Sequence, residues 1–204
     1  MLNTFLKLDT SFFLLINNNF HFSFLNENMR ALSFLGNGWV AYWLVLVLVF
    51  IYNRKRFNES FILLFLTQII PGITDIILKR IINRPRPASA LHDLIKQGAV
   101  HVDILGRRLT EHSFPSGHAV TAFSLAAGLS YIFPRHFKVF YILAVLVAFS
   151  RVYDGEHYPL DVIGGGILGY LLAKLTIIAY KKARKIKGYN FEPERGGDQR
   201  GSRV

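Results

Sequence analysis

At 204 residues the chain suffices for one compact domain, but 51% apolar residues, only 18% charged ones and a mean hydropathy of +0.30 exclude an ordinary soluble fold, which cannot bury several apolar runs of about twenty residues. A net charge of +11 raises the question of nucleic acid. However, the basic residues cluster at the ends of apolar runs and no RNA- or DNA-binding motif is present, so nucleic acid is set aside as a partner. With no cysteine, disulfides, thiolate nucleophiles and Cys-ligated metals are excluded.

The N-terminal stretch MLNTFLKLDTSFFLLI lacks a basic leader and a small-residue cleavage site and is a poor signal peptide. Residues 4–25 are apolar but short and Asn-rich, which fits an interfacial or re-entrant helix better than a span. Five candidate spans follow: Ala31–Tyr52, Glu59–Ile82 with a kink expected at Pro71-Gly72, Ser116–Phe133, Phe137–Val152 and Tyr158–Tyr180. In the fifth, Gly165 and Gly169 form a small-xxx-small pair that admits a neighbouring helix closely. The tail KGYNFEPERGGDQRGSRV reads as disordered. The expected fold is all-α, a polytopic transmembrane bundle of five to six membrane helices plus an N-terminal interfacial helix. Its expected organisation is an N-terminal segment 1–30, a membrane core 31–186 and a tail 187–204.

If the spans alternate, Arg54, Lys55 and Arg56, then Arg135 and Lys138, then Lys181, Lys182, Arg184, Lys185 and Lys187 fall on one side, which the positive-inside rule makes cytoplasmic. Three polar motifs fall on the other side. KRIINRPRP (79–87) ends the second span, and its prolines push Arg84 and Arg86 into extended conformations, a stiff arm of guanidinium groups beside Lys79. Taken alone it fits a snorkelling basic flank better than a phosphate arm, because such flanks are common. FPSGH (114–118) opens the third span, with Ser116 at an N-cap position, Gly117 clearing space over the backbone and His118 in the first turn. It reads equally as an anion cradle or as an ordinary capped helix start. In SRVYDGEHYPLD (150–161), His157 and Asp161 are four apart, so the carboxylate can reach the imidazole, and Arg151 ends the preceding span. Ionisable groups at this depth are costly and point to function.

Together the motifs supply cations, a helix-start cradle, a His–Asp pair and a second His, the inventory for handling a phosphoryl group. Asp154, Glu156 and His157 suggest metal ligands, but surrounding cations would oppose a divalent ion. Asp75, four residues before Lys79, is expected as its structural partner. Arg80 and Arg84 face either a head group or the bilayer surface, and 88–113 is expected to cap the site.

Lys79 with six residues before Arg86-Pro87, then Pro115-Ser116-Gly117-His118, then Ser150-Arg151 with five residues before His157 and three before Asp161, resembles the tripartite signature of the type 2 phosphatidic acid phosphatase superfamily. The resemblance spans 79–161. It implies that His157 is the nucleophile forming a phosphohistidine, that Asp161 orients it, and that His118 protonates the leaving oxygen and then activates water. Lys79, Arg86, Ser116, Gly117 and Arg151 would hold the phosphate oxygens, with no metal or other cofactor. It also implies a lipid phosphate substrate, such as undecaprenyl pyrophosphate, phosphatidylglycerophosphate, phosphatidate or a lipid A phosphate. The expected location is the bacterial inner membrane, with the site on the extracytoplasmic face. The alternatives are phosphoryl transfer to a second lipid, and a non-catalytic phospholipid-binding or transport protein. Binding alone, though, needs only the cations, not the His–Asp set.

Overall fold

A computed structural model describes residues 2–106 and 108–186, so the expected disordered tail lies outside the described residues. Every regular element among the described residues is helical. The helices are α1 (Leu2–Leu14), α2 (Asn26–Leu35), α3 (Gly38–Tyr52), α4 (Phe57–Ile82), α5 (Pro87–Ala90), α6 (His92–Lys96), α7 (Gly117–Ile132), α8 (Phe137–Tyr153) and α9 (Pro159–Ile186). A π-helical turn, Leu15–Asn19, extends α1.

The protein is an integral membrane protein, and its surface is apolar where a soluble fold would be polar. Ile73, Ile76, Ile77, Leu143, Val145, Ile163, Ile167, Leu171, Leu175 and Ile178 all point outward. Three of the described helical stretches, including all of α4, α8 and α9, are long and apolar enough to cross a membrane. The pair α2–α3, bent by 75°, would make a fourth. The expected five to six is therefore not reached by length and composition. The shortfall is α7, whose 16 residues reach about 24 Å at 1.5 Å per residue. This helix is enclosed by α4, α8 and α9, so it meets little lipid, and its small residues Ala119, Ser124, Ala126, Ala127 and Gly128 are buried or close-packed.

Lipid is as apolar as a side-chain core, so close packing and polar contacts, not expulsion of water, hold such helices together. A β-carbon at Gly165 would lie 2.6 Å from the Ser116 carbonyl, and one at Gly169 would collide with the Val120 carbonyl. The small-residue pair of α9 thus seats its backbone on α7. Hydroxyls buried at this depth bond within their own helices, Thr67 to the Leu64 carbonyl at 3.0 Å and Ser150 to the Val147 carbonyl at 2.8 Å. One apolar cluster (Leu46, Val49, Leu63, Leu64, Leu129, Ile132, Ile177) fills one end of the bundle. A second (Phe13, Leu91, Ala119, Ala148, Val152, Tyr158, Val162) lies at the other end, beneath the polar groups.

Candidate active site

The three motifs meet where the C-terminal ends of α4 and α8 converge with the N-terminal ends of α7 and α9. Lys79, in the last turn of α4, donates to both oxygens of Asp75 at 2.8 and 2.6 Å, the pairing that the four-residue spacing implied. The pair presses on the start of α7. A β-carbon at Gly117 would lie 2.8 Å from Lys79 Nζ and 3.1 Å from Asp75 Oδ2, so only glycine admits it without displacement.

Asn83, left-handed at φ 41°, ends α4 and turns the chain into an arm on which Arg86 is extended (φ −75°, ψ 159°). Arg86 donates from Nε to the Glu111 carbonyl (3.1 Å), and from Nη1 to the carbonyl (3.2 Å) and Oε2 (3.0 Å) of Glu156. Arg151, in the last turn of α8, pairs with Asp154 at 3.1 Å, with Ser33 of α2, and with that same Glu156 oxygen. Glu156 therefore bridges the two arginines, and Gly106 packs against its other oxygen. The acids of the third motif have a definite place: Glu156 aligns both guanidinium groups and Asp154 holds one of them.

His157 is buried in the turn between α8 and α9. Burial, followed by the charges of Arg86 and Arg151, brings its pKa down to about 4 against the opposing pull of Asp161, so the ring is neutral. Its Nδ1 lies 3.7 Å from Asp161 Oδ2, beyond hydrogen-bond reach, which corrects the expected direct bond. The reason is local. His157 precedes α9, so four-residue helical stacking does not apply, and the Asp161 oxygens are already engaged. Asp161 accepts from Ser113 Oγ (2.5 Å), from the Tyr158 N–H (2.9 Å) and from Arg84 Nη1 (2.6 Å).

Arg84 thus points inward, not to the bilayer surface. Its second nitrogen meets Asp9 of α1 at 2.7 Å and its plane lies 4.1 Å from the Tyr158 ring. Arg80 is exposed. Ser116 holds the N-cap position of α7 without a capping bond, and its N–H donates to the Asp161 carbonyl at 3.0 Å. His118, half-buried in the first turn, lies within electrostatic reach of Arg151, His157, Lys79 and Arg86. All eight residues singled out by the motifs therefore come together.

The surroundings differ from the cationic pocket the motifs suggested, because Lys79, Arg84, Arg86 and Arg151 face Asp9, Asp75, Asp154, Glu156 and Asp161. The electrostatic argument against a metal loses its basis there. Among the described residues, no three His, Asp or Glu side chains are grouped as metal ligands would be. Burial raises the Asp154 carboxyl above the ordinary range despite Arg151.

Sequence reasoning missed Asp9, Asn17, Ser33 and Ser113. Asn17, fully buried, donates to the carbonyls of Asp103 and Tyr153 at 2.9 Å and accepts from the Asp103 N–H at 2.8 Å, which ties the N-terminal segment to the 88–113 segment. A lone acid in an apolar helix is the signal that marked Asp9. Beside the polar cluster lies an open cavity of about 500 Å³. Trp39, Tyr42, Phe65, Ile69, Ile73 and Ile76 line it, and Asp75, Gly117 and His118 lie along its wall.

A bundle of apolar helices with this polar cluster gathered at one end, beside an apolar cavity, defines a membrane protein with its ionisable chemistry at one face. The PAP2 superfamily model matches residues 60–185, and the chain belongs to that superfamily. It is 35% identical over 119 residues to the lipid A 1-phosphatase of Rhizobium etli (58% of this chain, 50% of that protein). It is 33% identical over 167 residues to the undecaprenyl-diphosphatase of Sulfolobus acidocaldarius (81% and 75%). The crystal structure of Aquifex aeolicus LpxE superposes with a TM-score of 0.70 at 31% identity, covering 82% of this chain and 93% of that one. The chain spans about half the length of the rhizobial relative.

Proposed function

We propose that this protein is a membrane lipid phosphatase that removes a phosphate or diphosphate from a lipid through a phosphohistidine on His157, without a metal. One observation carries the reading. Four buried polar atoms, Ser116 Oγ, Arg151 Nε, Asp154 Oδ1 and His157 Nδ1, have no hydrogen-bond partner, and all four belong to the motifs that converge at this end of the bundle. Buried polar groups are almost always satisfied, so such a cluster fits a site shaped for a polar ligand. The apolar cavity beside His118 suits a lipid chain, and the phosphatase names of the relatives support the class.

In this mechanism His157 attacks phosphorus through Nε2 while Nδ1 faces Asp161. The P–O bond breaks, and His118 gives its proton to the leaving oxygen. Water deprotonated by His118 then cleaves the P–N bond and releases phosphate. Lys79, Arg86, Ser116, Gly117 and Arg151 bind the phosphate oxygens throughout. The substrate is of the undecaprenyl pyrophosphate, phosphatidylglycerophosphate, phosphatidate or lipid A type, and the site faces the extracytoplasmic side of the plasma membrane. The test is phosphate release by the detergent-purified protein from a panel of these lipids with a chelator present. Activity should persist in chelator, be blocked by vanadate and vanish in His157→Ala. Turnover in that variant, or a requirement for Mg²⁺, would overturn the mechanism.

A further inference from the structure

The N-terminal helix α1 carries no part of the three motifs, yet it delivers a carboxylate into the site. Asp9 has a fully buried side chain and uses both oxygens: Oδ2 accepts from Arg84 Nη2 at 2.7 Å, and Oδ1 accepts from the Leu160 N–H, in the first turn of α9, at 2.9 Å. Arg84 uses its other nitrogen on Asp161 Oδ1 at 2.6 Å. The result is a buried chain, Asp9–Arg84–Asp161, ending beside His157. Phe13, one turn further along α1, packs edge-on against Tyr158 at 5.4 Å, so the helix is seated firmly enough to fix the position of Asp9.

The charges explain why a third member is needed. Two members alone, Arg84 and Asp161, would cancel, and the carboxylate facing His157 would offer little stabilisation to an imidazole that gains positive character on attacking phosphorus. With Asp9 answering the guanidinium, the chain keeps one net negative charge at its His157 end. The Asp9 bond to Leu160 also holds the first turn of α9 that carries Asp161.

From this arrangement we infer that Asp9 is a positioning residue of the active site, keeping Arg84 shared so that Asp161 stays charged and aligned toward His157. The inference rests on the reading of His157 as nucleophile, and the experiment separates the two. Phosphate release and vanadate inhibition are measured for the wild type, Asp9→Asn, Arg84→Gln and the double variant. Asp9→Asn should lower kcat on the order of 10- to 100-fold, the range that a misplaced catalytic group costs. KM and vanadate inhibition should stay near wild type, because the phosphate-binding residues are untouched. The double variant should be several-fold more active than Asp9→Asn alone, because the unanswered arginine charge is then gone while Ser113 and the Tyr158 N–H still hold Asp161. A purely structural role would give additive losses. Wild-type kcat in Asp9→Asn, or a double variant no better than Asp9→Asn, would overturn the inference. No phosphate release by the wild-type protein would instead overturn the lipid phosphatase reading.

Discussion

His157 shows how burial sets the state of a single residue. A buried neutral imidazole opposes protonation, and with a pKa of about 4 it stays neutral where an exposed histidine would have begun to charge. In the unfolded chain the same group takes up its proton near pH 6.5, so its contribution to stability is complete above that value and declines as pH falls toward about 4. Thermal unfolding in detergent should therefore show a midpoint that drops between pH 6.5 and 4, with a shallower drop in His157→Gln; equal slopes would disprove the assignment. The identities of His157, Asp161, Arg86 and Arg151 were legible in sequence, because each sits in a spaced motif. Their partners were not. Asp9, Ser33 and Ser113 reach the site from positions 75, 118 and 48 residues away from the side chains they bond, Arg84, Arg151 and Asp161, separations that only the folded chain closes.

At the scale of elements, placement of the site depends on how closely α9 lies on α7. The first turn of α9 brings Asp161, the start of α7 brings Ser116, Gly117 and His118, and Gly165 and Gly169 set the gap between the two axes. Gly169→Val forces a side chain into the Val120 carbonyl and should cost about 1–3 kcal/mol, read as a lower unfolding temperature in detergent. Gly72→Ala, whose β-carbon would meet nothing within 4 Å, should hold or slightly raise stability. A Gly169→Val protein as stable as the wild type would mean that the two helices do not rely on this contact. The long apolar helices α4, α8 and α9 were readable from hydropathy, and the glycine pair from its spacing. The role of α1 was not, because its apolar face suggests a surface helix and only its polar residues reveal the docking. The count of spans is not confirmed by length and composition, since α7 is buried by its neighbours and needs neither the length nor the hydropathy that contact with lipid demands.

For the whole molecule, the distribution of basic residues supports the proposed orientation. Arg54–Arg56 and the cluster ending α9 lie at the end of the bundle opposite the converging motifs, which under the positive-inside rule is the end the proposal assigns to the cytoplasm. The chain has no cysteine, so Ser89→Cys, at an exposed position after the arginine arm, gives a single reporter. An impermeant maleimide should label it in intact cells, and labelling only after lysis would invert the topology. The balanced pairing of cations and carboxylates has a further consequence at this scale. An enclosure whose four positive groups face five negative ones has no net positive charge with which to attract anions from the surrounding water. Under the proposed function, free phosphate and water-soluble phosphate esters would then gain no long-range attraction to the site. A phosphate tethered to a chain lodged in the neighbouring apolar cavity would instead be held within reach long enough to exchange places with Glu156 and the other carboxylates. On that reading discrimination between lipid and soluble pool arises from the anchor, and the polar cluster is left to do chemistry.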